Sequence, residues 1–220
     1  MRIYAVADIH ADIDRCATIE TIVKTHQPDM VIFAGDMTSY WKQNPFLNML
    51  TKLSTPCAGI LGNSDFKSLG RRLEAVKHFH MLGDRPFGID TINIYGISGT
   101  IPLPFASRIC IRENTALNHL GRKISSKDIL VAHPPPRGVL DQVGNRFSAG
   151  SANLNRFIEY HQPTLLLCGH IHEQAGAVQH NQTWIVNCTM GRNTFGEPSL
   201  GMLIDIDENG SCRITPLTAA

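Results

Sequence analysis

The sequence predicts an α/β fold, and three observations predict it. Short continuous apolar runs bounded by turn-forming residues recur from Ile3 to Cys168, as strands buried on both faces require. Polar segments with helical spacing separate these runs, the alternation expected of βαβ units. After His172 the helical pattern stops and the chain becomes β-rich.

The first run, residues 3–7, ends in Asp8-Ile9-His10. Residues 14–26 follow with Cys16, Ile19, Ile22 and Val23 on one helical face, Asp12 or Asp14 available as cap, and Pro28 beyond. The second run, residues 30–34, ends in Gly35-Asp36. Residues 38–45 read as a loop carrying Tyr40 and Trp41, and residues 46–53 as a short helix. The third run, residues 58–61, ends in Gly62-Asn63-Ser64-Asp65 and precedes a helix over 69–76. Residues 80–82 and 92–97 look like strands and predict a change to antiparallel pairing. Residues 99–108, with Pro102, Pro104 and Phe105, read as a loop over the strand ends, and 114–120 as a helix. The run 129–132 ends at His133, where Pro134-Pro135-Pro136 stops it. Residues 138–150 read as a long loop, and Ser151 is placed to cap a helix over 152–161. Leu165-Leu166-Leu167-Cys168 then leads into Gly169-His170-Ile171-His172. The remainder predicts an antiparallel meander over 176–179, 184–187, 201–206 and 212–216. No linker, repeat or low-complexity stretch divides the 220 residues, so one domain over 1–220 is expected.

Composition narrows the function classes. A formal net charge of +1 gives no large basic field and disfavours nucleic acid as a partner. No apolar run approaches the roughly 18 residues of a membrane span, and the first residues already read as a strand, so neither a membrane anchor nor a signal peptide is expected. The six cysteines are scattered, mostly in apolar contexts and without a Cys-x-x-Cys pair. A reduced cytoplasmic protein is the simplest reading.

The polar residues collect where the runs end. In open α/β sheets ligands bind beyond the carboxyl ends of the strands. Asp8, His10, Asp36, Asn63, His133, His170 and His172 all stand there. That is more than one transition metal uses, since structural zinc takes about four ligands and catalytic zinc about three plus water. The set suits two divalent metals sharing a carboxylate, a pair that can clamp both the attacking and the leaving oxygen of a phosphoryl displacement. With nitrogen and oxygen donors and no thiolate, manganese is expected first, with iron, zinc, cobalt, nickel or magnesium as alternatives. Taken singly, each residue has a plainer reading. Asp8 reads as a helix cap, His10 as a loop histidine, Asp36 as a turn residue, and His133 as a buried histidine bonded to backbone. Cys168 reads as core, with no activating base beside it.

The ordered motifs Asp8-Ile9-His10, Gly35-Asp36, Gly62-Asn63-Ser64-Asp65, His133 and Gly169-His170-Ile171-His172 resemble the calcineurin-like metallophosphoesterase superfamily. The stretch from His133 through Ser151 to Glu173 looks like the small Icc-related phosphoesterases. The resemblance implies a four-layer α/β/β/α sandwich of two facing mixed sheets, with the β-rich tail in the second sheet. It implies that Asp8, His10, Asp36 and His172 hold one metal and Asp36, Asn63, His133 and His170 the other, with Asp36 bridging. A hydroxide between the metals would attack phosphorus in line, with Asn63 helping to position the phosphate. The family commonly has His where this chain has Ser64. A serine hydroxyl is a poor general acid near neutral pH, so the substrate is expected to carry a good leaving group or to be protonated by another residue. Asp65 is expected either to brace the Asn63 loop or to cap the following helix. Arg137 and Arg146 could meet a phosphate or stand as solvated loop charges, and Tyr40, Trp41 and Phe105 could line a pocket or pack locally.

The expected function is hydrolysis of a small phosphoester, a diester before a monoester. A metal-binding protein-interaction scaffold of the same fold with weak or no catalysis is the first alternative, kept open by Ser64, and a nuclease the second. Relatives of this kind are often dimeric or larger, which leaves a homo-oligomer open.

Overall fold

The computed structural model describes residues 1–39, 43–89, 91–99, 112–144 and 147–218. Tyr40, Trp41, Phe105, Arg146 and the greater part of the 99–108 loop lie outside them. One six-stranded sheet runs in the order Cys212–Thr218 (β14), Ser199–Ile206 (β13), Arg2–Val6 (β1), Met30–Phe33 (β2), Cys57–Gly59 (β3) and Phe79–Met81 (β4). Its β1 to β4 pair in parallel, while β13 is antiparallel to both β1 and β14. The second six-stranded sheet runs Gly176–His180 (β11), Thr183–Asn187 (β12), Leu165–Cys168 (β10), Ile129–Ala132 (β7), Ile92–Ile97 (β6) and Phe87–Ile89 (β5). Here β12, β10, β7 and β6 are parallel, and β11 and β5 close the edges antiparallel. Gln142–Val143 (β8) and Phe147–Ser148 (β9) form a separate hairpin. The helices are Ile13–His26 (α1), Asn44–Lys52 (α2), Lys67–Glu74 (α3), Glu113–Leu120 (α4) and Ala152–His161 (α5).

Side-chain alternation along the strands builds the layers. On the first sheet Ile3, Ala5, Met30 and Ile32 point inward and meet Ile94, Ile129, Val131, Leu165, Leu167 and Val186 of the second. The alternate residues Tyr4, Val6, Val31 and Phe33 pack outward on Cys16 and Ile19 of α1, Met49 and Leu50 of α2, and Leu69 and Leu73 of α3. In the second sheet Leu130, Leu166, Cys168 and Ile185 pack outward on Leu117, Leu120, Leu154 and Ile158 of α4 and α5. Both faces of each sheet are therefore covered, which is why the strands read as continuous apolar runs. The result is the α/β/β/α sandwich of two mixed sheets.

Local chemistry sets the element ends. Asp12, not Asp14, caps α1, its Oδ1 accepting from Asp14 N at 2.9 Å and Arg15 N at 3.0 Å. Ser151 caps α5 by accepting from Leu154 N at 3.0 Å. Three expectations change. The tail is not one meander in one sheet: β11 and β12 extend the second sheet, and β13 and β14 extend the first. Strand β12 pairs parallel with β10 because the 169–175 connection returns the chain through β11 before β12. The switch to antiparallel pairing comes at β5 and not at β4, which still lies parallel to β3. The loop over 138–150 contains the β8–β9 hairpin, whose two-residue strands leave no periodicity to read.

Candidate metal centre

The parallel strands of both sheets end at the same side of the sandwich. A parallel bridge between Ala7 and Thr189 fastens the end of β1 to the end of β12. Past these ends the chain turns through rarely populated backbone. Asp8, His10, Asp36 and His170 hold φ values of 60°, 54°, 50° and 70°. Non-glycine residues adopt this region at a cost, at helix caps and turns and also at functional sites. Neighbouring loops hold the turns in place. Asp8 N donates to Gly35 O, His10 N to Asp36 O, Gly169 N to His133 O, and His170 N to Asp8 Oδ2. The motif glycines make room for this crowding. A Cβ on Gly62 would overlap Asp36 Oδ1, and one on Gly169 would lie 2.7 Å from Asp8 Oδ2.

Two groups of ligand-type side chains result. Asp8, His10 and His172 form one, and Asp8, Asp36 and His133 the other, with the ligand atoms of each within 4.8 Å of one another. His172 Nε2 lies 3.2 Å from Asp8 Oδ1 and 3.4 Å from His10 Nε2. His133 Nε2 lies 3.5 Å from Asp36 Oδ2 and 3.8 Å from Asp8 Oδ1. His10 Nε2 lies 3.9 Å from Asp36 Oδ2. His133 Nδ1 stands 2.8 Å from Ala34 O and so carries the proton, which turns the Nε2 lone pair toward the carboxylates. His133 Nε2 and Asp8 Oδ1 are fully buried and neither makes a well-aligned hydrogen bond. Buried polar atoms rarely stay unbonded without a functional reason. A nitrogen and oxygen donor set of this kind, with two buried carboxylates and unbonded atoms facing inward, fits divalent cations.

The electrostatics follow from the crowding. Burial pushes the Asp8 carboxyl up, but the His172 imidazole beside it and the charge of His133 hold it below the usual carboxylate range. Asp36 is likewise held well down, by His133 and by the Ser64 amide, against its burial. Burial disfavours charge on His133, yet Asp36 and Asp8 raise it to about 9. His170 moves the other way, to about 4, through burial and repulsion from His133.

The remaining sequence-selected residues take distinct places. His170 stands in neither group, its ring 5.2 Å from that of His133. Asn63 is half-buried and donates from Nδ2 to Ser64 Oγ at 3.3 Å. Ser64 turns inward. It is 8% exposed, and both its amide and its hydroxyl donate to the Asp36 carboxylate at 2.8 Å. Asp65 does not cap α3, whose N-cap is Phe66. It accepts from Met37 N, Thr38 N, Thr38 Oγ1 and Gly62 N, tying the Asp36 loop to the Asn63 loop. Arg137 is exposed and makes no side-chain hydrogen bond among the described residues. Sequence reasoning missed Arg15 and Asn187. Arg15 Nη1 donates to Asp8 O from the first turn of α1, and Asn187 Nδ2 donates to Ile171 O at 2.9 Å, supporting the turn between the paired histidines. A lone arginine on a helix and an asparagine at a strand end leave no pattern to detect.

The calcineurin-like phosphoesterase family profile matches residues 1–174. The chain belongs to this family. The UPF0046 protein K07C11.7 of Caenorhabditis elegans is 34% identical over 74 residues, which cover 32% of this chain and 25% of that protein. The match therefore spans about a quarter of that relative's length. Among solved structures, an archaeal phosphodiesterase is similar with a TM-score of 0.54 at 14% identity, covering 99% of this chain and 100% of its own. The Plasmodium protein GAP50, described as the anchor in the inner membrane complex, is similar with a TM-score of 0.64 at 14% identity, covering 99% of this chain and 84% of its own.

Proposed function

We propose that this chain is a divalent-metal-dependent phosphoesterase that uses two cations and hydrolyses a small phosphodiester in preference to a monoester. The observation that carries the reading is the convergence of Asp8, Asp36, His10, His133 and His172, with His133 Nε2 and Asp8 Oδ1 buried and unbonded inside it. Fold alone does not choose, since the same sandwich is found in a phosphodiesterase and in an anchor. A scaffold has no use for buried carboxylates and histidines held in strained backbone, and this favours catalysis.

Asp8, His10 and His172, with Asp36 nearby, would hold one cation. Asp36 and His133, with Asn63 and His170 beside them, would hold the other. Divalent cations at such a site supply Lewis-acid charge to the phosphoryl oxygens and lower the pKa of an attacking water. The chain's own residues prepare for this. Ala34 O fixes the His133 tautomer, Ser64 fixes the Asp36 carboxylate, and Asp8 Oδ2 receives the His170 amide. The Asn63 side-chain amide is the neutral group placed to orient a phosphoryl oxygen. Because the Ser64 hydroxyl is committed to Asp36, the position that carries His in many relatives offers no acid to the leaving group. The favoured substrate therefore has a leaving group that departs without full protonation. Five free cysteines among the described residues are compatible with a reducing cytoplasmic setting.

Hydrolysis of bis-p-nitrophenyl phosphate and of p-nitrophenyl phosphate with added Mn²⁺ tests this, with Asp36→Ala as control. Metal-dependent diester turnover that falls at least about a hundredfold in the control is expected. Absence of turnover on both esters in protein that binds no metal would overturn the reading.

A further inference from the structure

His133 and His172 are held in different ways. The His133 side chain is fully buried, while that of His172 is 48% exposed. Packing can fix the first ring, but the place of the second depends on the backbone that carries it. Residues 187–192, at the end of β12 and beyond the residues 1–174 matched by the family profile, brace that backbone. Asn187 is fully buried and uses both ends of its side-chain amide. Its Nδ2 donates to Ile171 O at 2.9 Å, and its Oδ1 accepts from Thr189 N at 3.1 Å. Arg192 N donates to His172 O at 2.6 Å, and Ala175 N donates to Arg192 O at 2.9 Å. Between these contacts Gly191 passes so close that a Cβ there would lie 2.2 Å from His172 O and 2.9 Å from His172 Cα. A Cβ at that separation forces backbone to move.

The same segment grips the strand that leads to Asp8. Ala7 N donates to Cys188 O at 3.0 Å, and Met190 N donates to Ala7 O at 2.9 Å. Residues 187–192 thus join the carrier of Asp8 to the carrier of His172. Asp36 and His133 are held separately, by Ser64 and by Ala34 O. We propose that Asn187 and Gly191 are positioning residues for one cation only, the one that Asp8, His10 and His172 would hold. Both act through backbone: Asn187 holds Ile171 O, and Gly191 leaves room for His172 O. This rests on the two-cation reading and deepens it, because it gives the two cations separate supports in the chain.

Mn²⁺ binding to the full chain tests this, by titration calorimetry and by elemental analysis after dialysis. The unsubstituted chain is expected to hold two Mn²⁺. Asn187→Ala removes the bond to Ile171 O and keeps the backbone bonds of the segment, and Gly191→Ala pushes on His172 O. Each variant is expected to bind one Mn²⁺ roughly 10–100-fold more weakly, the range for groups that orient metal ligands, and the other as before. A second measurement needs no variant. Hydrogen exchange of the peptide 187–193 in the unsubstituted chain is expected to slow when Mn²⁺ is added, because a fixed His172 holds the Arg192 amide. That measurement decides if a variant loses its cooperative melt. Two Mn²⁺ bound at unchanged affinity by both variants overturns the positioning role and leaves the two-cation reading standing. Loss of both Mn²⁺ from folded variants also overturns it, in favour of a general structural role. Exchange that ignores Mn²⁺ in a chain that binds two has the same consequence. An unsubstituted chain that binds fewer than two Mn²⁺ overturns the two-cation reading and the positioning role together.

Discussion

At the scale of single residues, Ser64 differs most from what its position in the motif implies. It turns inward. It holds Asp36 from two sides, through its amide and its hydroxyl. Groups that orient a metal-binding carboxylate typically change metal affinity by roughly 10–100-fold when removed. Ser64→Ala keeps the amide bond and loses the hydroxyl bond, so Mn²⁺ affinity is expected to fall within that range. Isothermal titration checks this, and an unchanged Kd would return Ser64 to a substrate-facing role.

His133 supplies a pH dependence. Its folded pKa, about 9, is raised above the ordinary 6.5 by Asp36 and Asp8 despite burial. A raised histidine pKa adds stability that is fully present below about 6.5 and is lost as pH rises through about 9. The proton lost on this titration is the second on the ring, on Nε2, the nitrogen a cation would need, so metal binding there would expel it. The metal-free protein is therefore expected to lose thermal stability from pH 6.5 to 9 while its Mn²⁺ affinity rises over the same span. Melting curves with and without Mn²⁺ check both directions. A melting temperature that climbs with pH in the absence of metal would contradict the ion-pair account.

At the scale of elements, the site depends on loops braced against one another. Asp65 carries the heaviest share, accepting four hydrogen bonds from the Asp36 and Asn63 loops while buried. Asp65→Ala leaves these donors without a partner, at a cost of roughly 2–4 kcal/mol. Urea unfolding should show that loss together with weaker metal binding, and loss of stability alone would mean that the loops keep their places without it. The strand-end motifs were legible because a strand, a turn and a ligand residue are contiguous in sequence. The bracing was not, because Asp65 reaches back 27 and 28 residues for its partners at Thr38 and Met37. For the same reason Asp65 could not be told from a helix cap until α3 was seen to begin at Lys67.

At the scale of the whole molecule, the two sheets share one apolar layer, and the candidate metal centre sits where both present their strand ends. Leu167 lies fully buried in that layer, directly preceding Cys168-Gly169-His170. Leu167→Ala is expected to cost roughly 2–5 kcal/mol, measured as a shift in the urea midpoint at constant slope. A cost below about 1 kcal/mol would mean that the inter-sheet layer closes over the lost volume.

By itself the sequence determined the α/β class, the strands of the parallel core and the order of ligand-type residues at their ends. These are local properties: a strand buried on both faces must be apolar throughout, and its polar chemistry must begin where burial stops. Only the tertiary structure decided how the tail divides between the two sheets, which way Ser64 turns, and that Asp8 belongs to both ligand groups. Each of these rests on contacts between segments far apart in the chain, and no periodicity or spacing within one segment encodes them.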